Sequence, residues 1–458
     1  MQRASTRWPP FAKSNHDASA VFALHAMSLL QRCGPSVTTS SMDAEIIAVG
    51  SELLTPYRLD TNSLFLTAEL NRLGFRVRRK HVVGDHDDDL REVFASALER
   101  VEVVVSCGGL GPTADDRTRE IVAELLGRKL KRNEAILRGI QERFRSFGRT
   151  MPEVNARQAM VPEGAAALEN TRGTAPGLWI EQNGKVAVLL PGPPAELQAM
   201  FVREVQPRLA RRGGDLRLYT RDLRITGLPE SEVDQRIYAI YTQYPGTETT
   251  ILASLGEIQV HPRVWSEDEP AALKLLDEMV ERFRMALGEN LFSTSGETLE
   301  TVVANELNEH RATIAVAESC TGGMLAARLT NVPGSSSYFR GGVVSYSNDL
   351  KSAWVDVPKE LIEAKGAVSA EVALAMAHGI RQQTNATLGV AITGIAGPGG
   401  GTPEKPVGLV HIAVVDEKNA KERAFRFPGD RDRIRHQGAQ AALDMVRRYF
   451  LYAATAKR

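Results

Sequence analysis

The chain has 458 residues, more than one ordinary hydrophobic core holds, so two or three domains are expected. Its 56 Lys and Arg residues balance 56 Asp and Glu residues, and this zero net charge argues against a general binder of nucleic acid or anionic membranes, although a local basic patch is still compatible with it. The 3 cysteines cannot build a disulfide framework and fit no zinc spacing, and no apolar run reaches the length of a membrane span, so we expect a cytoplasmic protein without a membrane partner.

Residues 1–42 differ from the rest of the chain because they are rich in Ser, Arg and His. Their low acidic content would suit a transit peptide, and their composition would also suit a disordered tail. We favour a third interpretation, in which an upstream start codon is assigned wrongly and Met42 is the true start. The apolar run 21–24 is too short for a secretory signal.

Residues 43–212 are predicted to form a first domain of α/β class. Apolar strands at 44–49, 76–83 and 101–106 alternate with helices whose apolar residues recur on one face. This alternation predicts a parallel sheet with helices on both faces, in three layers. The carboxyl ends of the strands are the functional edge of such a sheet. Three segments reach that edge: 50–54, 107–116 and 190–194.

The segment 107–116 combines flexible backbone with polar side chains. Thr113 can donate a hydrogen bond to a phosphate. Asp115 and Asp116 would repel a phosphate without a cation between them, so the pair indicates a divalent metal ion held by oxygen ligands. In the alternative interpretation they only cap a helix over 117–126, and the sequence leaves both open. The glycines that let the backbone approach a ligand closely are Gly108, Gly109 and Gly111.

Residues 213–292 are predicted to form a small α+β module. Strands are expected at 221–226 and 257–261, and helices are expected at 230–241 and 271–287. No residue type or spacing in this module indicates chemistry.

Residues 297–455 are predicted to form a second α/β domain, organised around a turn of small residues at Ser319. The run 313–316 is typical of a buried strand, and 324–329 is typical of the start of a helix. At such a junction, unpaired amides of the helix could bind a phosphate or the oxyanion of an acyl transfer. The other predicted elements are strands at 340–346, 388–393, 407–415 and 423–427, and helices at 299–307, 369–383 and 430–449.

Ser319, Tyr346 and Lys351 supply this domain with a hydroxyl, a phenol and an amine. No histidine lies in a comparable motif, and His411 is predicted to be a core residue within a strand. A serine nucleophile needs a base, and without histidine the candidate is a lysine whose pKa is depressed by burial. In the alternative interpretation, Lys351 is an exposed helix residue, which is the commonest position for a lysine.

A glycine-rich loop over 394–401 completes the candidate site. Its amides could surround a phosphate, and Arg431 or Arg435 could add positive charge beside it. Acyl chemistry at one end and a phosphate at the other indicate a phosphorylated substrate with an amide or an ester.

From Met42 onward the chain resembles the competence/damage-inducible (CinA) protein family. Several independent motifs occur in the family's order, which makes a chance resemblance improbable. They are Gly-Ser-Glu-Leu-Leu at 50–54, Asp-Thr-Asn at 60–62, Gly-Gly-Leu-Gly-Pro-Thr-Ala-Asp-Asp at 108–116, Pro-Gly-Pro-Pro at 191–194, Glu-Ser-Cys-Thr-Gly-Gly at 318–323, Tyr-Ser-Asn at 346–348, Lys351, Thr-Gly-Ile-Ala-Gly-Pro at 393–398, Lys-Pro-Val-Gly at 405–408 and Gly-Asp-Arg at 429–431.

The resemblance implies a nicotinamide-nucleotide amidase in the last domain, which converts nicotinamide mononucleotide to nicotinate mononucleotide and ammonia without a cofactor. In that family pattern Ser319 is the nucleophile, Lys351 is the base, and Tyr346 orients groups or relays a proton. The implied substrate- and phosphate-binding residues are Thr321, Gly322, Gly323, Asn348, Thr393, Gly394, Gly397, Gly399, Arg431 and Arg435.

For the first domain the resemblance implies a molybdopterin-binding fold with metal-dependent ADP-ribose pyrophosphatase activity. Asp115 and Asp116 are the implied metal ligands. The segment 55–58 departs from the glycine-containing loop of many members, which puts the substrate preference in question. The implied nucleotide-binding residues are Ser51, Glu52, Asn62, Gly108, Gly109, Gly111, Thr113, Pro191 and Gly192.

The middle module resembles a KH domain but lacks the Gly-x-x-Gly loop that clamps nucleic acid, so no nucleic-acid partner is expected. The expected partners are nicotinamide mononucleotide, ADP-ribose and a second copy in a homodimer. Two other functions are compatible with the resemblance: a molybdopterin-handling protein and a non-catalytic partner in DNA uptake. The set of Ser319, Tyr346 and Lys351 favours the hydrolase, because neither alternative needs it.

Overall fold

The structure is a computed structural model that describes residues 42–455, so the predicted extension lies outside the described residues except for Met42. The chain forms two compact units. One holds the described residues up to Asp60 together with Arg76–Phe201, and the other holds Thr61–Phe75 together with the chain from Val202 onward. None of the helices within residues 42–455 has the length and apolar character needed to cross a bilayer.

The strands and helices follow each other in the alternating pattern that the sequence predicts. The strands are β1 (Met42–Val49), β2 (Phe75–Val83), β3 (Val103–Cys107), β4 (Leu130–Arg132), β5 (Met160–Pro162), β6 (Ala166–Leu168), β7 (Gly177–Gln182), β8 (Lys185–Leu190), β9 (Arg217–Thr220), β10 (Leu223–Thr226), β11 (Thr247–Ser254), β12 (Glu257–Ser266), β13 (Leu291–Ser293), β14 (Ile314–Glu318), β15 (Phe339–Val344), β16 (Leu388–Gly394), β17 (Leu409–Val415) and β18 (Ala420–Arg426). The α-helices are α1 (Asn62–Arg72), α2 (Asp87–Arg100), α3 (Thr118–Leu125), α4 (Glu134–Ser146), α5 (Pro194–Met200), α6 (Gln206–Ala210), α7 (Glu230–Tyr241), α8 (Glu269–Leu287), α9 (Leu299–Glu309), α10 (Met324–Thr330), α11 (Asn348–Val355), α12 (Lys359–Lys365), α13 (Ala370–Thr384) and α14 (Arg431–Thr455).

The first unit contains a six-stranded sheet in the order β2-β1-β3-β8-β7-β6. Strands β1, β3 and β8 run parallel, whereas β7 is antiparallel to β8 and β6 is antiparallel to β7. The expectation of an entirely parallel sheet is therefore wrong for this edge. The cause is local, because Asn183 and Gly184 both have positive φ and close a two-residue hairpin between β7 and β8.

The middle module is an antiparallel sheet in the order β11-β12-β10-β13, with β9 also paired to β12. Apolar side chains of α7 and α8, among them Ile237 and Phe283, pack with the sheet residues Ile225 and Val260. The α+β class is confirmed. Strands β9, β11 and β13 are not predicted from the sequence. For β11 the reason is that no residue of this edge strand is fully buried, so it lacks the apolar alternation that indicates a strand.

The last domain has a sheet in the order β15-β14-β16-β17-β18. Strand β14 lies in the interior and is parallel to both β15 and β16. One face packs against α9 and α14, and the other packs against α13, which gives three layers. Because β14, β15 and β16 are parallel, the segments that follow them reach one edge of the sheet.

Candidate active sites

Ser319 directly follows β14, at the edge where the parallel strands end. Its N–H donates to Ile392 O at 2.9 Å, and its carbonyl accepts from the Gly322 N–H at 3.1 Å, which closes a tight turn. Gly322 and Gly323 have φ values of +62° and +93°, a left-handed conformation that glycine adopts without strain. The hydroxyl is thereby held in a rigid turn with 8% of the residue exposed.

The Glu318 carboxylate accepts hydrogen bonds from backbone amides at the start of α10. This buried carboxylate accepts from the backbone N–H groups of Gly323, Leu325 and Ala326 at 3.1, 3.1 and 2.8 Å. The expectation that unpaired helix amides face a ligand is therefore wrong for these three groups, including that of Gly323. Glu318 is not among the predicted site residues, although an acidic residue shortly before a helix start is a recognisable capping signal.

We expect Glu318→Gln to lower the free energy of unfolding by about 2 kcal/mol, because the substitution removes the buried charge that accepts hydrogen bonds from three backbone amides. Urea unfolding of the full chain, followed by circular dichroism, measures the change. Glu309→Gln is the matched control, because Glu309 is exposed at the end of α9. Equal stability of the two variants would show that the buried carboxylate contributes nothing.

Lys351 lies on α11 and points inward, with only 1% of the residue exposed. Its Nζ is 3.2 Å from Ser319 Oγ, 2.9 Å from Ser345 O and 3.2 Å from Tyr346 O. The alternative of an exposed helix lysine is therefore wrong. The fold brings the amine and the hydroxyl into hydrogen-bond contact across 32 residues of sequence.

Burial lowers the pKa of Lys351, because removal from water disfavours the ammonium form, and the nearby Cys320 opposes this only in part. Burial also raises the pKa of Cys320 to about 12, so that thiol is neutral near pH 7. Within residues 42–455 no carboxylate is among the groups that shift the pKa of Lys351. Asp349 is exposed, as expected from its position two residues away on the same helix. These surroundings favour a neutral amine.

Tyr346 stands at the mouth of this site, with 56% of the residue exposed. Its hydroxyl accepts a hydrogen bond from Arg431 Nη2 at 2.8 Å. Arg431 also donates from Nη1 to the carbonyl of Gly397 at 2.9 Å. One guanidinium therefore connects the phenol to the glycine-rich loop.

The remaining predicted residues of this domain lie around the same edge. Arg435 Nη2 donates to the buried Thr321 carbonyl at 3.0 Å, and Thr393 Oγ1 donates to Ala367 O at 2.8 Å. Asn348 is the first residue of α11, and Gly394 ends β16. A side chain at Gly399 would meet no atom within 4 Å, so this part of the loop is open.

His411 lies within β17, and only 13% of its side chain is exposed. Its Nδ1 lies 2.7 Å from a carboxylate oxygen of Glu422 on the neighbouring strand. The residue is therefore largely buried, although it pairs with a carboxylate and does not lie in an entirely apolar core.

The first unit has a cleft of about 280 Å³ where β1, β3 and β8 end. The floor of this cleft requires glycine at position 108, because a Cβ on Gly108 would lie 2.0 Å from Val49 O. Gly109, also with positive φ, would place a Cβ equally close to Thr118 Oγ1. Other lining residues are Gly50, Glu52, Asp85, Gly111, Asp115, Gln158, Thr174, Pro191, Gly192 and Glu196.

The two aspartates of the loop after β3 have different surroundings. Asp116 accepts hydrogen bonds from both the N–H and the hydroxyl of Thr113, so the Thr113 hydroxyl is engaged within its own loop. Asp115 lines the cleft, and the Thr113 side chain beside it lowers the pKa of that carboxyl. The capping alternative is wrong, because α3 begins at Thr118 after Arg117 and no side chain caps it.

Carboxylates from four segments line this cleft. Oxygen ligands of this kind suit Mg²⁺ or a similar divalent ion, which commonly takes one or two carboxylates and completes its shell with phosphate oxygens. Among residues 42–455, no group of three His, Cys, Asp or Glu side chains is arranged to hold a metal by itself. One or two of these carboxylates would be available to such an ion if phosphate oxygens of a ligand completed its shell. The four are Glu52, Asp85, Asp115 and Glu196.

Three residues that the sequence analysis omits support the cleft. Asp85 accepts from the Ser51 N–H at 2.8 Å and fixes the segment after β1. Arg119 is fully buried and donates to the carbonyls of Leu110 and Arg157 at 3.0 and 2.9 Å. Glu196 contributes a carboxylate from α5. The position of Asp85 just after a predicted strand could have indicated a site residue. Nothing in the sequence indicates that Arg119 is buried. Asn62 is the first residue of α1.

Comparison with known proteins matches three families in the order that the sequence predicts. The family described as "Probable molybdopterin binding domain" matches residues 45–211, the KH domain of the damage-inducible protein CinA matches 220–293, and the CinA C-terminal domain matches 296–450. A CinA-like protein of Koribacter versatilis is 50% identical over 411 residues, covering 89% of this chain and 99% of that protein.

The matches also include a second relative and a solved structure. A CinA-like protein of Solibacter usitatus is 48% identical over 407 residues, covering 89% of this chain and 98% of that protein. The crystal structure of the competence/damage inducible protein CihA from Agrobacterium tumefaciens is 41% identical and covers 32% of this chain and 91% of its own, with a TM-score of 0.32.

Proposed function

The chain belongs to the CinA family, and from this premise we propose that its last domain is a nicotinamide-nucleotide amidase that uses Ser319 as nucleophile and Lys351 as base. The substrate class is a phosphorylated pyridine carboxamide, nicotinamide mononucleotide. The products are nicotinate mononucleotide and ammonia.

The contacts of the Lys351 amine carry this proposal. A neutral lysine amine has two N–H bonds and one lone pair. The carbonyls of Ser345 and Tyr346 can only accept, so they take the two N–H groups. The lone pair is then left for the hydroxyl proton of Ser319, whose oxygen lies 3.2 Å away. Burial, which lowers the pKa of Lys351, favours this neutral form.

The reaction follows from this arrangement. Ser319 Oγ attacks the carboxamide carbon while its proton passes to Lys351 Nζ. Lys351 returns the proton to the amide nitrogen, the C–N bond breaks, and ammonia departs. The acyl group remains bound to Ser319 Oγ as a nicotinoyl ester. Water then attacks the ester carbon and loses a proton to Lys351. The bond between that carbon and Ser319 Oγ breaks, Lys351 returns the proton to Oγ, and nicotinate mononucleotide leaves as a carboxylic acid that gives its own proton to solvent. The amides of Cys320 and Thr321, which donate to no backbone carbonyl within residues 42–455, are the proposed oxyanion donors.

The residues at the other end of the site favour the binding of a phosphate. Arg431 and Arg435 lie beside the glycine-rich loop and the Ser319 turn, through their contacts with Gly397 and Thr321. Among the described residues, the one ion pair that their guanidinium groups make with a carboxylate joins Arg435 to Asp432, at 3.5 Å. Two arginines without strong anionic partners favour an anionic group on the substrate.

The direct test is ammonia release from purified full-length protein. We expect turnover of nicotinamide mononucleotide and at least about a 10²-fold lower kcat/KM for nicotinamide, which lacks the ribose phosphate that positions the amide. Equal activity on both compounds would contradict a phosphate-recognising amidase. No ammonia from either compound would contradict the amidase itself.

For the first unit we propose a metal-dependent ADP-ribose pyrophosphatase. The observation that favours it is the glycine-floored cleft lined by carboxylates, in which Asp115 is the member of the loop pair that faces the ligand space. Asp115 would hold a divalent ion together with phosphate oxygens of the substrate. When bound, such an ion neutralises the charge that develops on the phosphates. The amides of Gly108 and Gly109 would lie along the pyrophosphate.

Asp115→Asn is expected to lower ADP-ribose cleavage by about 10²-fold or more. Asparagine is similar in size to aspartate but lacks the negative charge that would hold the metal ion. Ammonia release from nicotinamide mononucleotide should be unchanged, since Ser319 and Lys351 belong to the other unit. Asp88→Asn is the control, because Asp88 is fully exposed on α2. Loss of both activities in folded Asp115→Asn protein would mean that the two sites are not separate.

A further inference from the structure

A second cavity of about 510 Å³ lies in the first unit between α4 and the segment 167–176. This volume falls within the range of about 300–1,000 Å³ that is usual for small-molecule sites. Its lining combines an apolar part with polar residues, and its charged members are Arg143 and Glu169. The apolar lining residues are Ala135, Ile136, Ile140, Ala167, Leu168 and Pro176.

Gly139 gives the α4 wall its shape. It lies within the helix Glu134–Ser146, where glycine is less favourable than alanine. A Cβ at this position would meet no atom within 4 Å, so no packing contact of the fold requires glycine here. At this position the cavity is therefore lined by helix backbone without a side chain.

This cavity adjoins the carboxylate-lined cleft. Thr174 lines both spaces. Asn170, in the cavity wall, donates from Nδ2 to Glu196 Oε2 at 2.7 Å, and Glu196 lines the cleft. Asn170 Oδ1 accepts from the N–H groups of Arg172 and Gly173 at 3.0 and 2.7 Å, which fixes the loop between the two spaces.

We propose that this cavity binds the base of a nucleotide whose phosphates occupy the adjoining cleft. The inference rests on the proposed pyrophosphatase function and locates the adenine half of the substrate in this cavity. A heterocyclic base has two apolar faces, which fit the aliphatic walls and the bare backbone at Gly139. Arg143, held by its bond to Thr171 O at 3.0 Å, supplies a planar guanidinium at the rim that can stack on such a ring.

The test compares adenosine 5′-monophosphate with ribose 5-phosphate, which has the same sugar and phosphate but no base. Titration calorimetry on the full-length protein, with Mg²⁺ present, gives the dissociation constants. We expect the base to improve affinity by about tenfold or more, as for a base stacked in a protein site. Gly139→Leu should remove this advantage, because its side chain fills the cavity, and should leave ribose 5-phosphate binding unchanged.

Gly139→Ala is the matched control, since a methyl group leaves most of the cavity open and alanine favours the helix. It should retain the preference for adenosine 5′-monophosphate. Gly139→Leu protein that is folded by circular dichroism and still prefers adenosine 5′-monophosphate would overturn the proposal. So would a wild-type protein without the preference. A preference that Gly139→Leu removes, in a protein that fails to cleave ADP-ribose, would support the base site and contradict the pyrophosphatase.

Discussion

Replacing Ser319 by alanine is expected to lower kcat/KM for nicotinamide mononucleotide by about 10⁴-fold or more, because the substitution removes the atom that forms the ester. The fold should survive, since the Ser319 backbone keeps its bonds to Ile392 and Gly322. Lys351 also keeps its two carbonyl partners, at Ser345 and Tyr346. Ammonia release in single-turnover and steady-state assays measures the loss.

Binding separates a catalytic role of Ser319 from a structural one. The Ser319→Ala variant should bind nicotinamide mononucleotide with about the wild-type dissociation constant, because the phosphate and ring contacts are untouched. Ser336→Ala, at an exposed serine of the same domain, should have wild-type activity. Near-normal turnover by folded Ser319→Ala protein would eliminate the nucleophile role.

Lys351→Arg is expected to be inactive although it conserves the positive charge, with kcat/KM lowered by about 10²–10⁴-fold. A guanidinium cannot give up its proton under these conditions, so it cannot accept one from Ser319. Lys351→Met, which keeps the length of the stem, should be equally inactive and tests whether arginine merely fails to fit the buried site. An active Lys351→Arg variant would leave Lys351 as a charge that holds substrate or oxyanion.

The same residue predicts the direction of the pH profile. Only the neutral amine is a base, so kcat/KM should rise with pH as Lys351 loses its proton. Burial lowers the pKa of this lysine, and the rise should therefore lie below the ordinary value of about 10.4. Lys359→Arg, at an exposed position on α12, should leave the profile unchanged. A rate that falls as pH rises through the neutral range would contradict a lysine base.

The elements with strong local signals were predictable from sequence. Helix α7 was predicted at 230–241 and is observed over the same residues, because its apolar spacing is helical throughout. Ser369 was predicted to begin a helix and accepts the Val372 N–H as its cap. Strand direction is less accessible from sequence. The three strands predicted in the first domain alternate with helices and indicate a parallel sheet, whereas β6 and β7, which the sequence does not predict, are antiparallel to their neighbours.

The sequence by itself determined the residue types of both candidate sites and the edge of each sheet at which they collect, because strand ends and glycine turns are local properties of the chain. Only the tertiary structure decided that Lys351 is buried against Ser319, that Glu318 occupies the helix amides, and that Arg431 reaches Tyr346 across 85 residues. The physical reason is that burial and hydrogen bonding depend on which distant segments pack together. The pKa of a lysine follows from that packing and not from the residues beside it in sequence.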